Sequence, residues 1–182
     1  MPGGRVNVFR YPVRSLVGDY LRASVGLAVG LSVLASAPGS VMVVVIFGGL
    51  TALFGGFAYR TLRRHLLRVA LTAEAIHSSG LATRELPWGK LELVKLRYFG
   101  TRRQRKRETG GGFMQLTLEG AGASLTLESS IEGFEYIAWR AAKAARENGV
   151  GLDPASAGNL LELGIDADED GPPPEIKATR TF

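Results

Sequence analysis

The sequence predicts an α+β protein, in which an N-terminal transmembrane helical hairpin is followed by a small β-barrel or β-sandwich with a C-terminal capping helix. Three observations carry this prediction. No Asp, Glu, Lys, Arg or His occurs from residue 23 to residue 59. Short runs of alternating apolar and polar residues then recur between residues 66 and 128, as in half-buried strands. Apolar residues with helical spacing follow between residues 134 and 145.

The uncharged segment is long enough for two membrane spans. A helix needs about 20 mostly apolar residues to cross a hydrocarbon core of about 30 Å. Pro38-Gly39-Ser40 interrupts the segment with residues that favour a turn. We therefore expect a first span over residues 20–37 and a second over residues 41–59.

Small residues are frequent in both predicted spans. Gly26 and Gly30 lie in the first, and the second contains Gly48-Gly49 and Gly55-Gly56. Small residues allow helix backbones to approach closely in lipid. Two interpretations follow: the hairpin packs against itself, or these residues contact another membrane subunit.

Basic residues flank the predicted hairpin and indicate its orientation. The turn between the spans has no charge, whereas both outer flanks are rich in arginine. Since positive charge is retained on the cytoplasmic side, we expect a multi-pass protein with both termini in the cytoplasm. The predicted basic belt at the membrane interface comprises Arg22, Arg60, Arg63, Arg64 and Arg68.

The β-rich region has one clear hairpin. Met114, Leu116 and Leu118 alternate with polar residues, and Leu125 and Leu127 do so after a Gly-Ala-Gly turn. Upstream, residues 67–71 and 75–81 predict two more strands. The apolar phase changes within residues 91–98, which indicates a β-bulge.

A helix is expected after the hairpin. Ser129 and Glu132 have the spacing of a capping box. Phe134, Ile137 and Ala138 begin an apolar face, and Asn148-Gly149 provides a stop. Residues 159–165 are amphipathic and predict a short additional turn.

Three short motifs resemble bacterial pleckstrin-homology-like domains of small membrane proteins that carry a two-helix transmembrane hairpin just before the domain. They are LTAEAI at residues 71–76, Gly80, and LPWGKL at residues 86–91. The resemblance covers roughly residues 60–148 and the position of the hairpin. It implies a bacterial inner-membrane protein with a lipid- or protein-recognition fold and no catalytic residues.

The densest local charge is a basic run ending at three glycines. It consists of Arg102, Arg103, Arg105, Lys106 and Arg107. Basic clusters near a membrane attract anionic head groups, and they also bind acidic proteins. A solvated loop that only reinforces topology remains a third possibility. We favour a position away from the membrane, because the arginines beside the spans already satisfy the positive-inside rule.

Few residues point to catalysis. The chain has no cysteine and only two histidines, His65 and His77, and Ser129 lies outside any nucleophile-elbow motif. No phosphate loop or paired metal ligands occur, and the basic run lacks the interleaved aromatics and reading helix of a nucleic-acid binder. We expect no enzyme activity, no cofactor, no metal and no nucleic-acid partner.

These observations divide the chain into four parts. They are a cytoplasmic N-terminal segment (1–19), the transmembrane hairpin (20–59), a cytoplasmic pleckstrin-homology-like domain (60–165) and an acidic, proline-rich, disordered tail (166–182). The favoured function is a non-catalytic, membrane-anchored interaction module that binds a protein partner or anionic lipid. The alternative is an accessory or assembly subunit of a larger inner-membrane complex.

Overall fold

The structure is a computed structural model that describes residues 7–100, 112–169 and 171–175. Its elements fall into two units, one of residues Tyr11–Leu67 and one formed by Met1–Arg10 with Arg68–Phe182. In chain order the elements are β1 (Asn7–Arg10), α1 (Val13–Ser36), α2 (Val41–Leu66), β2 (Arg68–Leu71), β3 (Ala75–Ser79), β4 (Arg84–Pro87), a 3-10 turn (Trp88–Lys90), β5 (Leu91–Phe99), β6 (Phe113–Gly120), β7 (Ala123–Glu128), α3 (Phe134–Glu147) and α4 (Pro154–Glu162).

The first unit is a pair of apolar helices, as predicted. With 24 and 26 residues, α1 and α2 are about 36 and 39 Å long at 1.5 Å per residue. Both are long and apolar enough to cross a membrane. They extend beyond the predicted spans, because α1 begins at Val13 and α2 continues to Leu66. The side chain of Ser40 caps α2 by accepting a hydrogen bond from the Val43 N–H at 3.4 Å.

Glycines on α1 allow the two helices to approach closely. A Cβ atom at Gly26 would overlap the ring of Phe54, and one at Gly30 would overlap the Thr51 hydroxyl. That hydroxyl donates to the Phe47 carbonyl at 2.7 Å, so it is satisfied within its own helix. The α1 glycines therefore pack the hairpin against itself, as the first of the two interpretations expected.

The second unit contains two antiparallel sheets, with the orders β1-β2-β3-β4 and β5-β6-β7. Strand β1 lies in the segment that the sequence analysis assigned to a cytoplasmic N-terminal segment, and it was not predicted. It pairs with β2 from Asn7↔Leu71 to Arg10↔Arg68. The two helices are therefore inserted between adjacent strands of one sheet.

The second sheet confirms the predicted hairpin. Leu116 lies opposite Leu127, and Leu118 lies opposite Leu125; all four are buried. The predicted bulge is also present, since the β5–β6 register shifts after Leu91. The expected architecture was a barrel or a sandwich, and in the described part of the chain the sheets do not close into a barrel.

The break between the sheets has a local cause. The 3-10 turn Trp88–Lys90 separates β4 from β5, and it carries the chain from one sheet to the other. Trp88 is buried, and its indole N–H donates to the Thr72 carbonyl at 3.1 Å. The side chain of Asn148, at the end of α3, donates to the Trp88 carbonyl at 2.6 Å.

Helix α3 packs its predicted apolar face in the core. Ile137, Ala138 and Ala141 are fully buried. The predicted capping box is wrong, because α3 begins only at Phe134, after Gly133 in the left-handed region at φ 64°. The hydroxyl of Ser129 instead accepts a hydrogen bond from the Met114 N–H at 3.0 Å, which closes the end of the β6–β7 hairpin.

Helix α4 covers the outer edge of β5. The Leu96 N–H donates to the Ser156 hydroxyl oxygen at 2.9 Å, and the Asn159 side chain donates to the Leu96 carbonyl at 2.8 Å. A helix thus supplies the hydrogen bonds that a neighbouring strand would make, which protects an otherwise open edge. The sequence analysis predicted only a turn over residues 159–165, whereas α4 already begins at Pro154.

Candidate interaction site

The predicted basic run lies in the connection between β5 and β6. Arg102, Arg103, Arg105, Lys106 and Arg107 fall outside the described residues. The structure does describe the two strand ends that flank the connection. Phe99 and Phe113 face each other across the ladder, and their rings stack with centroids 5.3 Å apart. They are 43% and 38% exposed, so an apolar patch lies at the base of the basic connection.

A second aromatic side chain supports the same end of the hairpin. Tyr98 is half-buried, and its ring occupies the space that a Cβ atom would take at Gly100 or at Gly112. The absence of side chains at these two positions thus allows the ring to lie across the backbone. Larger residues at either position would displace Tyr98.

A groove of about 480 Å³ lies beside β5 and α4. The groove is lined by Arg97, Tyr98, Pro154, Ala155, Gly158 and Asn159.

The first turn of α4 has its own polar cap. Asp153 accepts hydrogen bonds from the backbone N–H of Ser156 at 2.9 Å and from its hydroxyl at 3.0 Å. These two bonds, the backbone one foremost, lower the pKa of the Asp153 carboxyl below its ordinary value. Because the Ser156 hydroxyl donates its hydrogen bond to Asp153, its oxygen is free to accept a hydrogen bond from the Leu96 N–H of β5. The N-terminus of α4 is therefore occupied by its own carboxylate.

The predicted basic belt is divided between the two units. Arg68 begins β2, and the other four residues lie on α1 or α2. Asp19 is the first acidic residue of the sequence, and it lies 3.3 Å from an Arg22 nitrogen and 3.9 Å from an Arg64 nitrogen. One carboxylate thus joins an arginine of α1 to an arginine of α2.

An aromatic pair joins the same ends of the two helices. The Tyr20 hydroxyl lies 3.0 Å from His65 Nδ1, and the two rings meet edge-on with centroids 5.8 Å apart. His65 therefore has a structural contact within the helical unit. His77 lies on β3, 3.7 Å from Glu85 on β4.

The glycines of α2 differ from those of α1. Among the described residues, a Cβ atom at Gly48, Gly49, Gly55 or Gly56 would meet no heavy atom within 4 Å. Large apolar side chains on the same helix are also exposed, such as Val45 at 68% and Leu53 at 68%. The α1 glycines thus allow close contact between the two helices, whereas the α2 glycines lie on a surface that no described residue covers closely.

One further contact has no counterpart among the features predicted from the sequence. Trp139 projects from α3 and donates its indole N–H to the Gly171 carbonyl at 3.1 Å. Its ring lies 5.6 Å from that of Tyr136. The sequence does show Tyr136 and Trp139 three positions apart on a predicted helix, and a run of prolines further downstream. No local pattern indicates that these two features contact each other.

The described residues contain no group of three or more His, Asp or Glu side chains placed to hold a metal ion. No family model matches the chain, and neither a curated protein nor a solved structure was found that matches it. What these sites can bind is therefore inferred from their own residues. They offer exposed aromatic rings, arginines and backbone carbonyls, which are groups that can contact a protein or a lipid head group.

Proposed function

We propose that this protein is a non-catalytic, membrane-anchored interaction module of the bacterial inner membrane, with a pleckstrin-homology-like domain on the cytoplasmic face. The observation that carries the proposal is the insertion of the apolar hairpin between the paired strands β1 and β2. The seven antiparallel strands that the described residues form in two sheets, followed by a helix packed in the core, also support the fold that the sequence motifs imply.

The insertion bears on the orientation. Strand β1 ends at Arg10 and α1 begins at Val13, while α2 ends at Leu66 and β2 begins at Arg68. Two strands that pair must lie on the same side of a membrane, so the segment between them has to cross an even number of times. The two long apolar helices meet this requirement, and the flanking arginines favour the cytoplasmic side.

The basic run provides the proposed contact with a partner. In the sequence it connects β5 to β6, and the described ends of these two strands carry the exposed, stacked rings of Phe99 and Phe113. Arginine and aromatic residues are enriched where proteins bind each other. We favour an acidic protein over anionic lipid, because the arginines beside the hairpin already suffice for attraction to the membrane.

A photo-crosslinking side chain at Gln104, in the middle of the basic run, tests this contact in native membranes. The expected result is a crosslink to a protein, lost when the five basic residues are changed to glutamine and retained when the four arginines are changed to lysine. The lysine variant is the matched control, since it preserves charge. If the crosslinks are instead to lipid and are lost in the glutamine variant, the basic run binds the membrane surface and the proposed protein partner is refuted.

Topology needs a separate measurement. A reporter that is active only in the periplasm, fused after Phe182, should remain silent, because an even number of crossings and the flanking arginines keep the C-terminus in the cytoplasm. The same reporter inserted at Gly39, in the turn between α1 and α2, should be active. The opposite pair of signals would refute the orientation.

A second candidate function is that of an accessory subunit in a larger membrane complex. The observation in its favour is the open glycine surface of α2, where a Cβ atom at Gly48 or Gly55 would meet no heavy atom of the described residues within 4 Å. Leucine at both positions should dissociate such a complex in mild detergent, whereas leucine at the exposed Val45 should not. Identical migration of all three proteins on native gels would exclude this surface.

A further inference from the structure

A row of aromatic rings runs along one side of α3. The Phe9 ring, from β1, lies 6.2 Å from Tyr136, and Tyr136 lies 5.6 Å from Trp139. Phe9 is 3% exposed, whereas Tyr136 and Trp139 are half-buried. The Lys143 ammonium lies 5.8 Å from the centre of the Trp139 ring. The accessible part of this row is an apolar surface with a positive charge at its end.

The proline-rich tail contacts this surface. Gly171 and Pro174 are half-buried, whereas Pro172, Pro173 and Glu175 are exposed. Burial at every third residue is the pattern of a polyproline II helix, which has three residues per turn and leaves its carbonyls free. The Gly171 carbonyl accepts a hydrogen bond from the Trp139 indole at 3.1 Å. Gly171 thus lies against an aromatic side chain, and the spacing of the half-buried tail residues fits a polyproline II conformation.

Aromatic side chains are well suited to bind an extended proline-rich segment. A polyproline II segment loses little conformational entropy on binding, and aromatic grooves recognise it by stacking on the rings and by hydrogen bonds to exposed carbonyls. Indole serves both purposes because it has a flat apolar face and one N–H donor. Acidic residues at positions 166, 168, 169 and 170 precede the prolines, and Lys143 offers them the opposite charge.

We propose that the Tyr136–Trp139 surface of α3 is a recognition site for acidic, proline-rich segments, and that the chain's own residues 171–175 occupy it in cis. The tail then controls access, because a proline-rich segment of a partner protein must displace it. Neither the basic run nor the two apolar helices contributes a residue to this site, so its test does not depend on the proposed function.

The strength of this control can be estimated. Ile165 is buried, so only a short stretch separates the anchored chain from Gly171. Short flexible connections give effective concentrations on the order of 1 mM. A free tail peptide with a Kd of about 100 μM for the open site would bind the full chain about tenfold more weakly.

The cis contact is tested by NMR of the indole N–H groups in the full chain in detergent. The chain has two tryptophans, and the indole of Trp88 donates to Thr72 instead. Ending the chain after Glu169 should shift the Trp139 resonance and leave that of Trp88 in place. Pro174→Ala should also shift it, whereas Pro173→Ala, at an exposed position, is the matched control and should not. An unmoved Trp139 resonance on truncation would overturn the cis contact.

Recognition in trans is tested with a fluorescent peptide of residues 166–175. We expect this peptide to bind the chain that ends after Glu169 and to bind the full chain about tenfold more weakly. It should not bind a truncated chain that carries Trp139→Leu. The unchanged Trp88 resonance of that variant would show that its fold is retained. A peptide with Pro174→Ala should lose binding, and one with Pro173→Ala should keep it. Equal binding to the full and truncated chains, or no binding to either, would refute the proposal.

Discussion

Strand β1 makes the β-domain discontinuous in sequence, and this predicts which fragment of the protein folds. Because Arg10 and Arg68 are paired neighbours, a tight turn of two to four residues, such as one built on Asn-Gly, can replace residues 11–67 and join β1 to β2 directly. We expect this short-turn variant to be soluble and cooperatively folded. A fragment that begins at Arg68 lacks β1 and should be far less stable.

The expected loss follows from the contacts of β1. Phe9 is 3% exposed, and the space beside its ring is so narrow that a Cβ atom at Gly133 would overlap it. Truncating a buried phenylalanine to alanine costs about 3–5 kcal/mol, against a total stability of about 5–15 kcal/mol for an ordinary domain. The fragment from Arg68 additionally loses the four ladder positions of β1. It should therefore be marginal or unfolded.

Thermal unfolding followed by circular dichroism measures the difference. Phe9→Ala in the short-turn variant should lower Tm by about 10–20 °C, at roughly 4 °C per kcal/mol for a domain of this size. Val8→Ala is the matched control, since Val8 is on the same strand but 59% exposed, and it should change Tm little. If the fragment from Arg68 melts at the same temperature as the short-turn variant, β1 is not part of the domain and the reasoning is wrong.

Three further predictions concern the second sheet and α4. Leu116→Ala should lower the free energy of unfolding, measured with denaturant, by about 2–5 kcal/mol because the side chain is fully buried. Thr117→Ala, on the opposite face of β6, should lower it far less. Equal losses would contradict the assignment of Leu116 to the core face. Ser156→Ala should cost about 1–3 kcal/mol, since it leaves a buried N–H of β5 without its acceptor, and the exposed Ser79→Ala should be near neutral; similar values for both would discount the edge contact. The pKa of Asp153 is lowered in the folded chain, so its contribution to stability is complete above the ordinary pKa of 3.8 and is lost as pH falls through the lower folded value. Asp153→Asn cannot ionise and should flatten the pH dependence of unfolding in that acid range; an unchanged slope would contradict the assignment.

The parts of the fold that could be predicted are those whose signal is local. An uncharged apolar segment and its Pro38-Gly39 interruption identify the helices without knowledge of any partner. The β6–β7 hairpin combines strict alternation with a short turn, so both strands and their pairing lie within about 15 residues. The bulge in β5 was also visible, because a change of apolar phase is itself local.

The parts that were missed depend on contacts between distant residues. Strand β1 has only four residues, and its partner comes after the whole hairpin. Helix α4 is defined by polar contacts of Ser156 and Asn159 with Leu96, which no periodicity reveals. The prediction of a capping box was wrong because the Ser129 hydroxyl binds the Met114 N–H instead. The left-handed Gly133 precedes the helix, so α3 begins only at Phe134. The Trp139 contact joins α3 to a tail whose composition alone indicated disorder.

The insertion of the hairpin also couples the proposed membrane topology to the folding of the β-domain. β1 and β2 can pair only when the intervening segment returns to the side from which it started. A chain in which α1 crosses the membrane and α2 does not would separate Phe9 from the core that buries it, and would leave β2 as an open edge. A complete sheet is thus incompatible with the insertion of only one of the two helices. In the proposed membrane-anchored module, a half-inserted hairpin would therefore leave the β-domain incomplete, whereas a domain attached after its anchor by a single linker would fold regardless of how the anchor inserts.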